Sequence, residues 1–260
     1  MRRLKNIFRN NGRTVIVALD HGMALNVLPE LEDTASVLQG IIQSGVDAVL
    51  TSFGIAAKYE ELLSSTGLIL RLDGGNSMLS DNPGGKLLFT PEDALRLGAD
   101  GVACMGFPGA VNEEQTLINI ASMAARCRHW NVPLMAEMLP GGFGDEPPKT
   151  AENIKLSCRI GAELGASIIK TTYVGAREEF EEVTRGCFVP VVILGGTKTE
   201  DLEGLFRVVR DAMDAGAAGV VIGRNVWRSE NPQRITSALV DLVHHDITTE
   251  EAMKIVAGRS

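Results

Sequence analysis

The sequence predicts a single (β/α)8 barrel, an α/β TIM-barrel fold, over the whole chain, residues 1–260. Short apolar runs alternate with segments of helical periodicity from one end to the other, which is typical of a parallel sheet with helices between its strands. Glycine hinges of nearly the same sequence join several helical segments to the strands that follow. The length also fits, because one such barrel takes about 250 residues and no change of composition marks a domain boundary.

Eight apolar runs are the expected strands. They lie at Thr14 to Asp20, Val46 to Phe53, Leu68 to Asp73, Gly101 to Met105, Pro133 to Leu139, Ser167 to Tyr173, Val189 to Leu194 and Ala218 to Ile222. Helical periodicity is clearest over Thr34 to Ser44, Glu113 to His129, Ala151 to Leu164 and Asp201 to Ala215. After the last strand, Pro232 to His245 and Thr248 to Val256 are expected to form the eighth helix and a short C-terminal helix.

The glycine hinges repeat along the chain, and the number of strands they lead into favours this barrel over a doubly wound sheet. Gly45-Val46-Asp47 and Gly98-Ala99-Asp100 are near-repeats of each other, and Gly165 and Gly216 begin two more. A doubly wound sheet usually has fewer strands and a GxGxxG motif after the first one. Here no GxGxxG motif follows the first strand, and the glycine of Asn11-Gly12-Arg13 lies before that strand. A dinucleotide-binding site is therefore not expected.

Composition and charge exclude several classes of protein. The net charge is −8, with no lysine- or arginine-rich patch, so a nucleic-acid partner is not expected. Residues 1–8 are basic, but Arg9 and Arg13 follow where a signal peptide would have its apolar core. No run approaches the roughly 18 apolar residues of a membrane span, and the cysteines form no CxxC pair. We therefore expect a cytoplasmic protein with reduced thiols.

One lysine stands inside an apolar strand, in Ser167-Ile168-Ile169-Lys170-Thr171-Thr172-Tyr173. A buried ammonium group is costly unless it is paired or takes part in chemistry. Burial disfavours the charged form of an amine and frees the lone pair with which it attacks a carbonyl to form a Schiff base. The alternative is a lysine that reaches the strand end or pairs with a carboxylate inside the barrel. Lys170 is the first candidate catalytic residue.

Polar groups concentrate at the carboxyl ends of the expected strands, where barrel enzymes carry their active sites. Asp20 ends the first strand and Glu137 lies on the inward face of the fifth, so each is a candidate for proton transfer or for pairing with Lys170. His21 is expected to contact substrate or to cap its loop. Asp73 is a weaker candidate, because Asp-Gly-Gly is also an ordinary turn signal.

Two glycine loops are expected to hold an anion. Gly195-Gly196-Thr197-Lys198 follows strand seven and Gly223-Arg224-Asn225 follows strand eight, where barrels commonly bind phosphate. Glycines let backbone amides approach an oxyanion, and Arg224 or Lys198 adds a charge-assisted contact. Two tight turns are the alternative, but a pair of such loops favours a phosphorylated small-molecule substrate.

A metal ion or other cofactor is not expected. Of the four histidines, only His21 stands at the carboxyl end of a strand. A catalytic zinc ion takes three protein ligands, commonly histidines.

Four motifs occur in the order in which one enzyme family carries them. They are Ala18-Leu19-Asp20-His21-Gly22, Ile168-Ile169-Lys170-Thr171, Leu194-Gly195-Gly196-Thr197-Lys198-Thr199 and Val221-Ile222-Gly223-Arg224-Asn225-Val226-Trp227. On these motifs the chain resembles, over nearly its whole length, the archaeal-type class I fructose-bisphosphate aldolases and the wider deoxyribose-phosphate and tagatose-bisphosphate aldolase group. The resemblance implies that Lys170 forms the imine, that Asp20 assists proton transfer and that the glycine loops hold the substrate phosphate. It also implies a homo-oligomer, for which a decamer is one expected size.

The chain departs from that family after strand five. The archaeal aldolases carry Tyr-Pro-Arg-Gly there, with the tyrosine as the main acid/base, whereas this chain has Leu139-Pro140-Gly141-Gly142. Leucine cannot carry a proton, and the arginine that would meet a second phosphate is missing. Glu137 is the expected substitute, because some relatives in the tagatose-bisphosphate branch also place a glutamate on strand five.

We expect a metal-free lyase that makes or breaks a carbon–carbon bond in a phosphorylated ketose or keto compound. The second hypothesis is a group-transferring enzyme that keeps the imine, as in the transaldolase-like relatives and the thiolase for phosphorylated autoinducer-2. The third is a phosphosugar-binding barrel without catalysis, which has no need of a buried reactive amine.

Overall fold

The computed structural model describes residues 1–23, 28–79, 84–196 and 199–258, and its eight parallel strands close into a barrel. The strands are β1 (Thr14–Ala18), β2 (Ala48–Thr51), β3 (Gly67–Arg71), β4 (Gly101–Gly106), β5 (Leu134–Met138), β6 (Ile168–Thr171), β7 (Val191–Leu194) and β8 (Gly219–Ile222). Each strand pairs with its neighbours along the chain, and β8 closes the barrel against β1. The predicted (β/α)8 fold is confirmed.

Helices cover the outside of this barrel. The α-helices of the described chain are α1 (Thr34–Gln43), α2 (Phe53–Lys58), α3 (Glu60–Leu63), α4 (Pro91–Arg96), α5 (Glu113–Trp130), α6 (Ala151–Glu163), α7 (Arg177–Gly186), α8 (Leu202–Asp214), α9 (Arg224–Trp227), α10 (Pro232–His244) and α11 (Thr249–Val256). No described helix is both long and apolar enough to cross a membrane.

The predicted elements differ from the observed ones mainly at their ends. The second strand stops at Thr51, and Phe53 begins α2 instead, where its ring stacks on that of Phe89 with 4.6 Å between the ring centroids. The third strand ends at Arg71, and Asp73 belongs to a short antiparallel ribbon with Leu87. Helix α7 buries only two apolar side chains, Phe180 and Val183, and the helices of four to six residues span less than two turns, so the sequence pattern did not reveal them.

The glycine hinges end helices as the sequence predicts. Gly45 follows α1 with φ at 85° and Gly98 follows α4 with φ at 74°, a region that residues with a side chain rarely adopt. The aspartate of each hinge then binds the strand before it: Asp47 accepts a hydrogen bond from the amide of Val15, and Asp100 accepts one from the amide of Leu68. The repeated hinge therefore stops a helix and ties the next strand to the barrel.

Side chains alternate between the inside of the barrel and its helix-covered outside. The inside holds one apolar cluster: Ile7, Ile16, Ala18, Ala48, Leu50, Ile69, Ala103, Met135, Ile168, Val192 and Val221. Ile7, after the N-terminal 3₁₀ turn Arg2–Asn6, closes the N-terminal mouth. Because residues two apart share a face, the same inward rows continue into four charged residues at the carboxyl ends of the strands. These are Asp20, Arg71, Glu137 and Lys170.

The cysteines are free thiols, of which Cys187 is partly exposed and the other three are buried. Burial raises the pKa of the Cys127 thiol to about 12, and burial also holds the pKa of the Cys104 thiol well above its ordinary value. These thiols are therefore protonated near neutral pH and act as packing groups.

Candidate active site

Lys170 lies at the carboxyl end of β6, and only 7% of its side chain is exposed. Glu137 is its direct neighbour in the sheet, because β5 and β6 pair with these two residues opposite each other. The Nζ of Lys170 lies 2.9 Å from Oε1 of Glu137, which makes a hydrogen-bonded ion pair. The structure thus brings two of the residues predicted to be catalytic into contact.

A further charged residue, Arg71, joins this pair from β3. Its Nη2 donates to Oε2 of Glu137, its Nε lies 2.9 Å from Oδ2 of Asp20, and its Nη1 lies 3.5 Å from Oδ1 of Asp73. Sequence reasoning did not select Arg71, although it stands inside the apolar run Leu68 to Leu72. A charged side chain at an inward position of a strand is the same signal that identified the lysine of β6, and it would have found this arginine.

These contacts separate the pKa values of the three carboxyl groups. Burial would raise the pKa of Asp20, but the charges of Arg71 and then Lys170 outweigh burial and lower the pKa to about 2. Burial would also raise the pKa of Glu137, but the charges of Lys170 and then Arg71 hold that pKa below its usual range. At Asp73 burial dominates and raises the pKa to about 6. Asp20 and Glu137 are therefore ionised near neutral pH.

His21 stands beside Asp20 and packs on the loop after β8. Its ring meets Trp227 edge to face, with 5.4 Å between the ring centroids. Burial lowers the pKa of His21 and the charge of Asp20 only partly opposes this, so the imidazole is neutral near pH 7. The Nδ1 lies 3.6 Å from Oδ1 of Asp20, beyond hydrogen-bond distance, and it is buried without a hydrogen-bond partner in the described part of the chain. Such a nitrogen is available to a ligand.

The side chain of Asn225 joins the loops after β7 and β8. Asn225 donates from Nδ2 to the carbonyl of Gly195 and accepts at Oδ1 from the amide of Thr199, both at 2.7 Å. Asn225 is 2% exposed. The sequence places it in the motif after strand eight but does not indicate this role. Its two contacts hold the predicted phosphate-binding loops in one arrangement.

Gly223 brings the second loop against β1. A Cβ at this position would lie 2.6 Å from the carbonyl oxygen of Ala18 and 2.5 Å from Cε1 of His21, so only glycine fits. Arg224 follows at the start of α9, and its Nε is buried without a hydrogen-bond partner among the described residues. Gly196 has φ at 66° and open space on the side where a Cβ would stand.

The predicted phosphate-binding residues thus lie on two adjoining loops. Gly195, Gly196, Gly223 and Arg224 are within this arrangement, and Lys198 lies outside the described residues. Their role as ligands of a phosphate stays a prediction.

The rim after β4 and β5 differs in character from these loops. Leu139 is 3% exposed and Phe107 is 4% exposed, so both form apolar packing there. Residues 139–148 contain two acidic residues and no lysine, arginine or histidine. The first basic residue after them, Lys149, donates to the carbonyl of Gly144 at 2.6 Å. This rim offers little to a second anionic group.

The site as a whole combines an amine, two ionised carboxylates and a fixed guanidinium. An ammonium group in contact with a carboxylate can give a proton to it, and the neutral amine that results can attack a carbonyl carbon. In the described part of the chain, no group of three or more histidine, cysteine, aspartate or glutamate side chains is arranged to hold a metal ion. The arrangement present is one suited to Schiff-base chemistry.

Comparisons with known sequences agree with this chemistry. A family model described as DeoC/LacD family aldolase matches residues 14–229. The 2-amino-3,7-dideoxy-D-threo-hept-6-ulosonate synthase 1 of Archaeoglobus fulgidus is 37% identical over 256 residues, which cover 97% of this chain and 94% of that protein. The corresponding synthase of Halobacterium salinarum is 34% identical over 248 residues, covering 95% of this chain and 93% of that protein.

Solved structures of aldolases are similar to this chain in fold. The crystal structure of an archaeal fructose 1,6-bisphosphate aldolase superimposes with a TM-score of 0.86 at 29% identity, covering 94% of this chain and 98% of that chain. Another archaeal fructose-1,6-bisphosphate aldolase, with its catalytic lysine covalently bound to the carbinolamine intermediate of the substrate, has a TM-score of 0.83 at 28% identity and covers 93% and 98% of the two chains.

Proposed function

The chain belongs to the DeoC/LacD family of aldolases, and from this premise we propose that Lys170 is the residue on which its imine forms. The protein is a class I aldolase, which makes or breaks a carbon–carbon bond through a Schiff base. The observation that carries the assignment is the buried position of Lys170 at the carboxyl end of β6, with the Glu137 carboxylate 2.9 Å from its nitrogen. That contact supplies a proton acceptor at the atom that must become a nucleophile.

Glu137 carries the proton during imine formation. It takes a proton from the Lys170 ammonium group, and the amine attacks the keto carbon of the substrate. A second proton passes from the attacking nitrogen to the former keto oxygen, which gives the neutral carbinolamine. The proton on Glu137 then goes to the hydroxyl of the carbinolamine, which leaves as water and gives a protonated imine. The buried nitrogen thus has the same positive charge at the end of this sequence as at the beginning, and Glu137 is again a carboxylate.

The protonated imine next serves as the electron sink. It accepts the electron pair of the breaking carbon–carbon bond and becomes an enamine, while a base removes the proton from the hydroxyl on the other fragment. We assign this base to Glu137, which replaces the missing tyrosine at Leu139. Asp20, ionised and about one-tenth exposed, stabilises the positive imine by its charge and is the alternative base.

Reduction with borohydride tests the assignment of the imine. In the presence of a phosphorylated ketose, reduction converts an imine into a stable secondary amine, and peptide mass spectrometry should find the added mass on Lys170. Surface lysines such as Lys155 serve as an internal control in the same digest. A panel of phosphorylated ketoses that leaves Lys170 unmodified would contradict the proposal, as would an adduct on another lysine.

The substrate phosphate is held by the loops after β7 and β8. Gly196 has open space on the side where a Cβ would stand, so an anion can approach the backbone there, and Arg224 has a buried Nε without a partner among the described residues. Family members act on phosphorylated substrates, so an anion site is required near the lysine.

The Arg224→Gln variant is expected to raise KM for a phosphorylated ketose about 10- to 100-fold, because a hydrogen bond to a charged group contributes about 1.5–3 kcal/mol. Steady-state kinetics with a phosphorylated ketose and its unphosphorylated form check this. The unphosphorylated form should react equally slowly with both proteins. Equal KM values of variant and wild type for the phosphorylated form would remove Arg224 from the phosphate site.

The apolar and acidic rim at Leu139 favours a substrate with a single phosphate. A second phosphate would meet the buried Leu139 and the acidic segment that follows it, where the archaeal aldolases of the resembling family carry an arginine. We expect a ketose 1-phosphate to exceed the matching 1,6-bisphosphate in kcat/KM by at least about tenfold, a discrimination of about 1.4 kcal/mol. Equal values for the two substrates would contradict this substrate class.

The relatives favour bond formation as the direction of the reaction. Two that match this chain over more than nine-tenths of its length are named synthases. A transferase that passes the enamine fragment to a second carbonyl acceptor needs the same lysine and carboxylates. Product analysis by mass spectrometry, with and without an added aldehyde acceptor, separates this outcome from simple cleavage.

A further inference from the structure

Arg71 makes three contacts with acidic side chains, and the reaction steps above use none of them. We propose that Arg71 is a positioning residue for the imine chemistry, which holds Asp20 and Glu137 on two separate nitrogens so that neither carboxylate depends on Lys170 for its counter-charge. The inference rests on the proposed function, because it concerns the carboxylates that serve the imine.

The position of Arg71 in the barrel suits this role. Its strand, β3, stands two places from β1 and two places from β5, so the guanidinium reaches the carboxylates of both strands across the mouth. The side chain is 2% exposed and therefore well removed from competing water. A guanidinium is planar and presents donors in fixed directions, so each contact sets the orientation of one carboxylate.

Arg71 also solves a problem of charge that the reaction creates. Lys170 must leave its ion pair with Glu137 when its nitrogen binds the substrate carbon. A buried carboxylate that loses its only partner is strongly destabilised. The other oxygen of Glu137 accepts from Arg71, so the glutamate keeps a counter-charge while the lysine reacts.

Asp73 fixes the remaining nitrogen of the guanidinium. It is fully buried, its Oδ1 faces Nη1 of Arg71 at 3.5 Å, and its Oδ2 accepts from the amide of Met105 at 2.6 Å. Burial raises the pKa of Asp73 to about 6, so Asp73 takes up a proton before the other two carboxylates do. Arg71 then remains fully committed to Asp20 and Glu137 down to low pH.

The decisive variant is Arg71→Lys. Lysine keeps the positive charge but is a point charge, which cannot hold two separate carboxylates in fixed orientations. We expect kcat to fall about 10- to 100-fold with KM changed less than about threefold, since misplaced catalytic groups affect the chemical step.

The pH profile supplies a readout that a purely structural role would not move. Glu137 faces Lys170, Arg71 and Asp20, and Asp20 faces Arg71, Lys170 and His21. Arg71 lowers the pKa of both carboxyl groups, so losing its contacts should raise them and shift the acidic limb of the kcat/KM profile upward by about one pH unit.

Arg9→Lys is the matched control. Arg9 also pairs with a nearly buried carboxylate, Asp47 at 2.5 Å, but at the opposite end of the barrel. The same replacement there should leave kcat, KM and the pH profile unchanged. Circular dichroism and thermal unfolding of every variant show whether it is folded.

The outcomes separate this inference from the proposed function. If wild-type protein gives the borohydride adduct on Lys170 but folded Arg71→Lys keeps the wild-type kcat and pH profile, the positioning role is overturned and the imine assignment stands. If the wild type gives no adduct, the proposed function fails first. If neither Arg71→Lys nor Arg71→Gln folds, Arg71 belongs to the stability of the barrel, and the positioning role is again overturned.

Discussion

Replacing Lys170 with methionine is expected to lower kcat by about 10⁴-fold or more, because the side chain that forms the covalent intermediate is removed. Methionine has a similar length and is apolar, so it fills the same inward position on β6. Glu137 keeps its contact with Arg71 in this variant, and the barrel should therefore remain folded. Steady-state assays with a phosphorylated ketose measure the loss, and borohydride should leave no adduct.

Lys155→Met is the matched control for this variant. Lys155 lies on α6, about half exposed, and pairs with Glu182 at 3.1 Å. The same replacement there should leave activity within about twofold of the wild type, as is usual for exposed ion pairs. A folded Lys170→Met variant that retains more than about one hundredth of the wild-type kcat would show that the reaction does not pass through an imine on this lysine.

The Glu137→Gln variant is expected to lower kcat by about 10²- to 10⁴-fold, the usual contribution of a positioned general acid or base. Glutamine keeps the size of the side chain but cannot take the proton from Lys170. Imine formation should therefore slow as well, and the rate of borohydride trapping in single-turnover experiments measures that step separately from cleavage.

Asp20→Asn distinguishes between the two candidate bases. If Asp20 acts by its charge on the imine, Asp20→Asn should lower the rate of borohydride trapping less than Glu137→Gln does. Retention of more than about one tenth of kcat in Glu137→Gln, together with inactivity of Asp20→Asn, would reverse the two roles. Glu163→Gln is the matched control, because it makes the same replacement on the surface of α6, where Glu163 pairs with Arg159 at 2.6 Å.

Much of the barrel was predictable from local signals. Gly45 and Gly98 follow helices with positive φ, and a hinge aspartate after each of them binds the neighbouring strand, so the same few residues mark both of these junctions. Strand interiors were recognisable because both faces of a barrel strand are buried. Strand ends were less so, since Phe53 is as apolar in α2 as it would be in a strand.

The catalytic constellation was only partly predictable. Lys170 and Glu137 were selected because a charged residue on an inward face of an apolar strand is rare and costly. Their contact followed from the register of β5 against β6, which no periodicity in the sequence specifies. Arg71 carried the same local signal, yet its meaning depends on three carboxylates from other strands and positions.

Local sequence determined the class of fold, the lysine and the glycine loops, because helix ends, strand burial and turn conformations depend on neighbours along the chain. The tertiary structure decided which charges compensate each other. Closure of the barrel brings Asp20, just after the first strand, and Glu137 of the fifth to one guanidinium on the third. The energy of a charge in a buried site depends on distances across the barrel rather than on spacing along the chain.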